Sequence, residues 1–307
     1  MKKSLLLLWL GVFLAILAKA DTEPANNTAA TTTDVLTMGG SQAGSFGGAD
    51  NYDYFQLQST ADGNITISLI NDNNAYTYIY LFDSNGTSQL GATVNFAGAG
   101  ISFTANGLAA GNYYAMAYST ALTNYTISAS LNPVSVANDA EPNNIPAQAL
   151  PLPINSSVEG HISHRFNGGN YDTDDYYLLT TGTDGNISIS LTNTNNAYTY
   201  IYLYDIDGTT LLGSTVNFAG SGISFTANGL AAGTYYARVY GGSAYSGYTL
   251  NATLIPNTIV NDNANNSYFA NAIPFAQNDS ITGHIAYRNN GGSIDNYDYY
   301  SFYSNGD

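Results

Sequence analysis

The chain repeats itself. The string NNAYTYIYL occupies residues 73–81 and returns, letter for letter, at 195–203. The same offset of 122 residues relates DGNITISL at 62 to DGNISISL at 184, VNFAG at 94 to VNFAG at 216, and GISFTANGLAAG at 100 to its copy at 222. A constant offset over so many segments marks one folded module present in copies. The connecting stretches agree as well, LNPVSVAND from Leu131 to Asp139 resembling LIPNTIVND from Leu254 to Asp262. A third copy opens with GHIAYRNNGGSIDNYDYYSFYSNGD at 283–307, which echoes residues 160–185. The expected organisation is repeat 1 over 21–132, repeat 2 over 133–255 and a partial, truncated repeat 3 over 256–307, in a natural chain that continues past Asp307.

Inside each repeat the apolar period is two. Ile65, Ile67 and Leu69 alternate with Thr66 and Ser68, and Ile101 and Phe103 with Ser102 and Thr104, as a half-buried strand requires. Turn signals divide the runs at Asp62-Gly63, Asp83-Ser-Asn-Gly86 and Asn106-Gly107, with counterparts at Asp184-Gly185, Asp205-Ile-Asp-Gly208 and Asn228-Gly229. No sustained helical period follows residue 20. Short strands at roughly ten-residue spacing predict an all-β chain of tandem antiparallel β-sandwiches, each large enough to bury its own core.

Residues 1–20 are a separate matter. Lys2 and Lys3 precede an apolar run from Leu5 to Leu17, and Ala18-Lys19-Ala20 supplies a small-x-small cleavage pattern. This reads as a secretory signal peptide cut before Asp21. The competing reading, an uncleaved anchor, asks a short run to do what takes about 20 apolar residues.

From Asp21 onward three arginines, Arg165, Arg238 and Arg288, face 22 acidic residues, a formal charge of −19. That balance disfavours nucleic acid and anionic lipid as partners and no membrane span follows the signal; cations are the natural counterpart. The chain has no cysteine, so disulfides, thiolate metal sites and thiol catalysis are excluded.

The acidic residues cluster. Each repeat opens with an acidic, Asn-rich stretch and then presents two aspartates three apart. Repeat 2 has Asp139-Ala-Glu141-Pro-Asn143-Asn144 and Asp172-Thr-Asp-Asp175; repeat 1 has Asp21, Glu23, Asn26 and the pair Asp50 and Asp53; repeat 3 has Asp262 and the pair Asp295 and Asp298. Calcium takes six to eight oxygen ligands from carboxylates, amides and carbonyls, and gathered carboxylates repel one another unless a cation neutralises them. The alternative is a capped turn followed by an Asp-rich edge strand. Three copies at equivalent places favour calcium.

These motifs resemble the bacterial pre-peptidase C-terminal domain family, related to the collagen-binding domains of bacterial collagenases. The resemblance rests on Glu-Pro-Asn-Asn at 141–144, Asp-x-x-Asp-Tyr-Tyr at 172–177, the Leu-Tyr-Asp-x-Asp-Gly turn at 203–208 and Leu-Ala-Ala-Gly-Thr-Tyr-Tyr at 230–236, and spans two full copies and one partial. It implies a secreted, jelly-roll-like β-sandwich, often appended to exported enzymes, with calcium at the linker. The ligands it implies are Asp139, Glu141, Asn143, Asn144, Asp172 and Asp175 in repeat 2, Asp21, Glu23, Asn26, Asp50 and Asp53 in repeat 1, and Asp262, Asp295 and Asp298 in repeat 3. Ala25 departs from the pattern in repeat 1, and Ala264 stands where repeat 3 should have its glutamate. The expected order of site strength is repeat 2, then 1, then 3.

Little points to catalysis. No nucleophile elbow, zinc helix or phosphate loop occurs. His161 and His164 make half a transition-metal motif, but three residues apart on a strand they should face opposite ways. Asp205-x-Asp207-Gly208 lacks the glutamate of a calcium loop and reads as a hairpin turn.

The tyrosines remain. Alternation puts Ala75, Thr77, Ile79 and Leu81 on one face and Tyr76, Tyr78 and Tyr80 on the other, with Tyr198, Tyr200 and Tyr202 their copies. Tyr236, Arg238 and Tyr240 project alike from a later strand. Such rows bind protein or sugar, or are strand formers steadied by cross-strand pairs. The sequence therefore describes a non-enzymatic, secreted or cell-surface chain of calcium-binding modules that binds an extracellular protein fibre or polysaccharide. Its alternatives are the accessory region of a larger secreted enzyme, such as a protease with its catalytic domain elsewhere, and a structural surface-layer or fibre protein.

Overall fold

The computed structural model describes residues 26–304, except 166–169, 219, 243, 263–264, 289–290 and 292. The expected signal peptide, Asp21 and Glu23 lie outside the described residues. Contacts divide the described chain into two compact units: 26–58, 66–104 and 112–131 form one, and 59–65, 105–111 and 132–304 the other.

The first repeat supplies eight strands: β1 (Ser41–Phe46), β2 (Tyr52–Ser59), β3 (Gly63–Asn71), β4 (Thr77–Asp83), β5 (Gln89–Asn95), β6 (Gly100–Leu108), β7 (Gly111–Tyr118) and β8 (Thr123–Pro133). They form two four-stranded sheets, ordered β1-β8-β3-β6 and β2-β7-β4-β5. These are the strand orders of a jelly roll, in which first and last strands pair and only β4 and β5 lie beside a sequence neighbour. The inward residues match the period-two reading. Ile67, Leu69, Ile79, Leu81, Phe55 and Ile127 are completely or almost completely buried.

The second repeat follows the same plan. A short β9 (Leu150–Pro151) precedes β10 (Ser156–Ile162), β11 (Asp174–Thr181), β12 (Gly185–Asn193), β13 (Thr199–Tyr204), β14 (Leu211–Asn217), β15 (Gly222–Leu230), β16 (Gly233–Gly241) and β17 (Ser246–Pro256). One sheet runs β10-β17-β12-β15 and is continued beyond β15 by two short strands from residues 287–288 and 294–295; the other runs β14-β13-β16-β11-β9. Its core gathers Ile187, Ile189, Leu191, Ile201, Leu203, Val239, Tyr177 and Tyr248. Beyond it come β18 (Ile273–Pro274), β19 (Tyr287–Arg288), β20 (Ile294–Asp295) and β21 (Tyr300–Ser301). β18 pairs in parallel with β21 as β9 does with β11, so the third copy starts its fold as the second does.

The duplicated NNAYTYIYL has a local explanation. Asn74 and Asn196 adopt positive φ of 57° and 52°, a region that Asn tolerates better than other side chains. One turn earlier, the Asn71 amide accepts from the Ala75 N–H at 3.0 Å and Asn193 accepts from that of Ala197 at 3.2 Å. The loop thus aims β4 and β13 so that Thr77 and Thr199 point inward, both fully buried, with the tyrosines outside.

Candidate metal centre and aromatic face

In the second repeat the linker residues Asp139, Glu141 and Asn143 meet Asp172 and Asp175, which flank the start of β11. A carboxylate oxygen from each of Asp139, Glu141 and Asp175 falls within 4.8 Å of the others. The cluster is held by hydroxyls from the core. Tyr248 donates to Oδ2 of Asp175 at 2.6 Å, Tyr177 donates to Oδ2 of Asp139, and the Asn143 amide donates to the same oxygen at 2.6 Å. The opposite oxygens are left over: Asp139 Oδ1, Glu141 Oε1, Asn143 Oδ1 and Asp175 Oδ1 are all buried without a hydrogen-bond partner. Every one is an acceptor. Four orphaned acceptors in one place are the signature of a donor set waiting for a cation rather than for protein hydrogen bonds, so these residues can hold a metal ion.

The electrostatics agree. Burial, then the charges of Asp139 and Asp172, pushes Asp175 well above the usual carboxylate range. Asp172 is pushed up to about 9, by burial first and then by the hydrogen bond and charge of Glu141; Asp139 and Glu141 are raised, mainly by burial. Without a cation, these groups keep protons to escape one another. Asp207 shows the contrast. Both its oxygens accept from Thr209 and Thr210 within the turn, and the Thr210 hydrogen bonds lower it to about 2, so it serves the hairpin as expected.

Asn144 plays a different part. It is exposed, and its amide nitrogen donates to Asp172 Oδ1 at 2.9 Å and to the Asp174 carbonyl at 2.6 Å, which orients Asp172.

The other repeats preserve the arrangement in pieces. The backbone carbonyl of Asn143 accepts from Tyr176 N–H at 2.9 Å, that of Asn26 from Tyr54 at 2.8 Å and that of Asn266 from Tyr299 at 2.9 Å. All three asparagines are fully buried. Asn26 therefore occupies the place of Asn143, one residue away from the register that a simple offset assigns, and Asn266 is the third-repeat member the sequence reading left out. In the first repeat Tyr125 donates to Asp53 Oδ2 at 2.6 Å, as Tyr248 does to Asp175; Asp50 stands at the start of β2. In the third, Tyr300 and Asn266 donate to Asp262 Oδ2 at 2.5 and 2.8 Å, while Asp262 Oδ1, Asn266 Oδ1, Asp295 Oδ2 and Asp298 Oδ1 remain buried and unpartnered. Burial and the charges of Asp262 and Asp295 raise Asp298. Of the tyrosine hydroxyls that orient these carboxylates, Tyr177 and Tyr300 stood in the Asp-x-x-Asp-Tyr-Tyr pattern without an assigned role, and Tyr248 and Tyr125 carried no signal in sequence.

The second feature is aromatic. Tyr76, Tyr78, Tyr80 and their copies Tyr198, Tyr200 and Tyr202 are half-buried on the outer face of their sheets. Tyr78 and Tyr80 stack at 5.9 Å between ring centroids and Tyr200 and Tyr202 at 5.7 Å. Tyr76 meets Tyr78 edge-on with a 2.5 Å contact between hydroxyls, and Tyr198 meets Tyr200 in the same way. Register places Tyr200 opposite Tyr240, Tyr202 opposite Arg238 and Tyr204 opposite Tyr236. The Arg238 guanidinium lies 5.0 Å from the Tyr240 ring centre and 5.2 Å from that of Tyr202, and is paired with Asp174. Two members escaped the sequence reading. Phe96 and Phe218, from the duplicated VNFAG, are 74% and 73% exposed and extend the rows beside Tyr76 and Tyr198; that repetition was the available signal.

His161 and His164 correct the strand argument. Their rings stack, with centroids 4.8 Å apart, because β10 ends at Ile162 and Ser163 turns the chain with a φ of 61°. Among the described residues no helix is long and apolar enough to cross a membrane.

No family model and no curated protein matches the chain. Among solved structures it is similar to the pre-peptidase C-terminal domain of a collagenase from Bacillus anthracis, at 20% identity over 38% of this chain and 100% of that one, TM-score 0.29. It is also similar to the exported protein XepA of PBSX, at 9% identity over 66% and 82% of the two chains, TM-score 0.21. A further similarity is to the M60 catalytic domain with the CBM51-1 and CBM51-2 domains of ZmpB from Clostridium perfringens, at 7% identity over 77% of this chain and 37% of that one, TM-score 0.23.

Proposed function

We propose that the chain is a secreted, non-catalytic string of calcium-binding β-sandwich modules that attaches to an extracellular protein fibre or glycan through its aromatic faces. The observation that carries the calcium part is the set of four buried, unpartnered acceptor oxygens from Asp139, Glu141, Asn143 and Asp175. Calcium supplies a hard, spherical charge that accepts six to eight oxygens in tolerant geometry. The chain's part is to aim one oxygen of Asp139 and of Asp175 with a tyrosine hydroxyl, and one oxygen of Glu141 with the Asn143 N–H, while presenting the other. Asp172, steadied by Asn144, stands beside Glu141 as a further acidic ligand. Three of these residues, Asp139, Glu141 and Asn143, precede the sandwich, and Asp172 and Asp175 flank the start of β11, so an ion here pins the linker to the module, a staple for a chain without disulfides.

Calorimetric titration of the chelator-stripped full chain with calcium tests the reading. Saturable binding that raises the melting temperature is expected; a melting curve indifferent to calcium and to chelation would sink it. For the aromatic faces, retention on collagen fibres and on insoluble polysaccharides is compared between the natural chain and one with Tyr76, Tyr78, Tyr80, Tyr198, Tyr200 and Tyr202 changed to Ser. Unchanged retention removes the faces from the function.

A further inference from the structure

We propose that Asp62, His161 and His164 form a second, chemically distinct metal site, one for a transition ion of the zinc class. All three belong to the compact unit that contains the second repeat. One ligand atom from each lies within 4.8 Å of the other two, and the histidines are 4% and 1% exposed.

The hydrogen bonds around His161 define what it offers. Its Nε2 is 2.8 Å from the Val136 carbonyl, which can only accept, so Nε2 carries a hydrogen. Nδ1 of the neutral ring then directs its lone pair at Oδ2 of Asp62, 2.9 Å away. Two acceptors at that distance need a cation between them. A metal ion there uses both, with Val136 as the backbone carbonyl that commonly fixes the tautomer of a ligating histidine. The carboxylate is itself oriented, Oδ1 accepting from Ala110 N–H at 2.7 Å and Oδ2 from the Asn138 amide at 3.2 Å.

A protonated His161 paired with Asp62 accounts for that contact alone. It leaves His164 unexplained. Both its ring nitrogens are buried without a hydrogen-bond partner among the described residues; the Ile162 carbonyl is near, but not in hydrogen-bonding geometry. A buried imidazole stacked on a ligand candidate, with no protein group to satisfy it, is completed by a metal. Two imidazoles and one carboxylate suit zinc, cobalt or nickel rather than calcium; tetrahedral ligands stand about 3.3 Å apart, against 2.9 Å between His161 Nδ1 and Asp62 Oδ2 and no more than 4.8 Å for any pair of the set.

The chain holds its own control. Asp184, His284 and Tyr287 repeat the framework: Asp184 Oδ1 accepts from Ala232 N–H at 2.7 Å, and His284 Nε2 is 2.6 Å from the Ile259 carbonyl. Tyrosine replaces the second histidine, and its hydroxyl donates to the Leu230 carbonyl at 2.6 Å. The framework folds either way; the second imidazole is what one copy adds.

The test is a cobalt(II) titration of the stripped full chain, without a histidine tag and in excess calcium so that the acidic cluster is not the acceptor. Expected is one equivalent of visible ligand-field absorption, displaced by zinc, with affinity about tenfold or more lower in His164→Tyr and in Asp62→Asn, which keeps both rings. Asp175→Asn should keep the band, which separates this site from the calcium reading. Absence of the band in the natural chain, or its survival at equal affinity in both variants, overturns the proposal.

Discussion

Tyr248 donates its hydroxyl hydrogen to one oxygen of Asp175 at 2.6 Å and leaves the other oxygen of that carboxylate buried with no protein partner. The pairing separates orientation from binding within one side chain. Asp175→Asn keeps an acceptor for Tyr248 and removes the charge that burial and Asp139 oppose. The metal-free variant should therefore melt no lower than the natural chain. Calcium at a hundred times its Kd should add about 2.7 kcal/mol to the natural chain and nothing of that size to the variant. Calorimetric melting with and without calcium reads both.

The raised carboxylates set a pH dependence of unusual sign. Asp172 moves from 3.8 to about 9 in the fold, so between those values the folded state binds more protons than the unfolded one. Stability of the metal-free chain is then fully present below pH 3.8 as far as this group is concerned, and falls as pH rises through about 9. On the proposed calcium reading, the ion displaces the same protons. Its affinity should rise with pH across this range, with proton release measurable by calorimetry in buffers of different ionisation enthalpy.

The two faces of β4 should respond differently to truncation. Ile79 is fully buried, and Ile79→Ala should cost about 2–5 kcal/mol. Tyr78 is half-buried on the outer face among the rings of Tyr76, Tyr80 and Tyr118, so Tyr78→Ser should cost about 0.5–1.5 kcal/mol. Urea unfolding of the two variants makes the comparison.

Arg238 has a natural substitute in the chain. It stands opposite Tyr202 where the first repeat puts Met116 opposite Tyr80. Arg238→Met should fold, losing about 1 kcal/mol or less for the partly exposed pair with Asp174, and any glycan or fibre retention that depends on the cation over Tyr240 and Tyr202 should fall with it. Denaturation and retention are measured on the same preparation.

Much of this was written in residue order. Alternation in TYIYL assigned inside and outside correctly because β4 and β13 each bury one face, and the acidic stretches pointed to the cluster because most of its members are carboxylates. What failed to show was long-range or backbone-borne. The pairing of β1 with β8 leaves no local mark, and neither do the Tyr248 and Tyr177 hydroxyls beneath the carboxylates. The shared place of Asn26 and Asn143 is set by a backbone carbonyl, which side-chain spacing misses by one. The convergence of His161 and His164 depends on a single positive φ at Ser163, a residue type that does not announce it.

From Asp21 onward there is no lysine, and each of the three arginines has its main chain engaged: Arg238 inside β16, Arg165 with its carbonyl accepting from Ala109 at 2.9 Å, and Arg288 with its carbonyl accepting from Ala231 at 3.1 Å. A protease of trypsin-like specificity must take an extended, unpaired segment into its cleft. At these three arginines it meets backbone already committed to a strand or a bridge, so resistance to such a protease comes from where the few cleavable residues were placed.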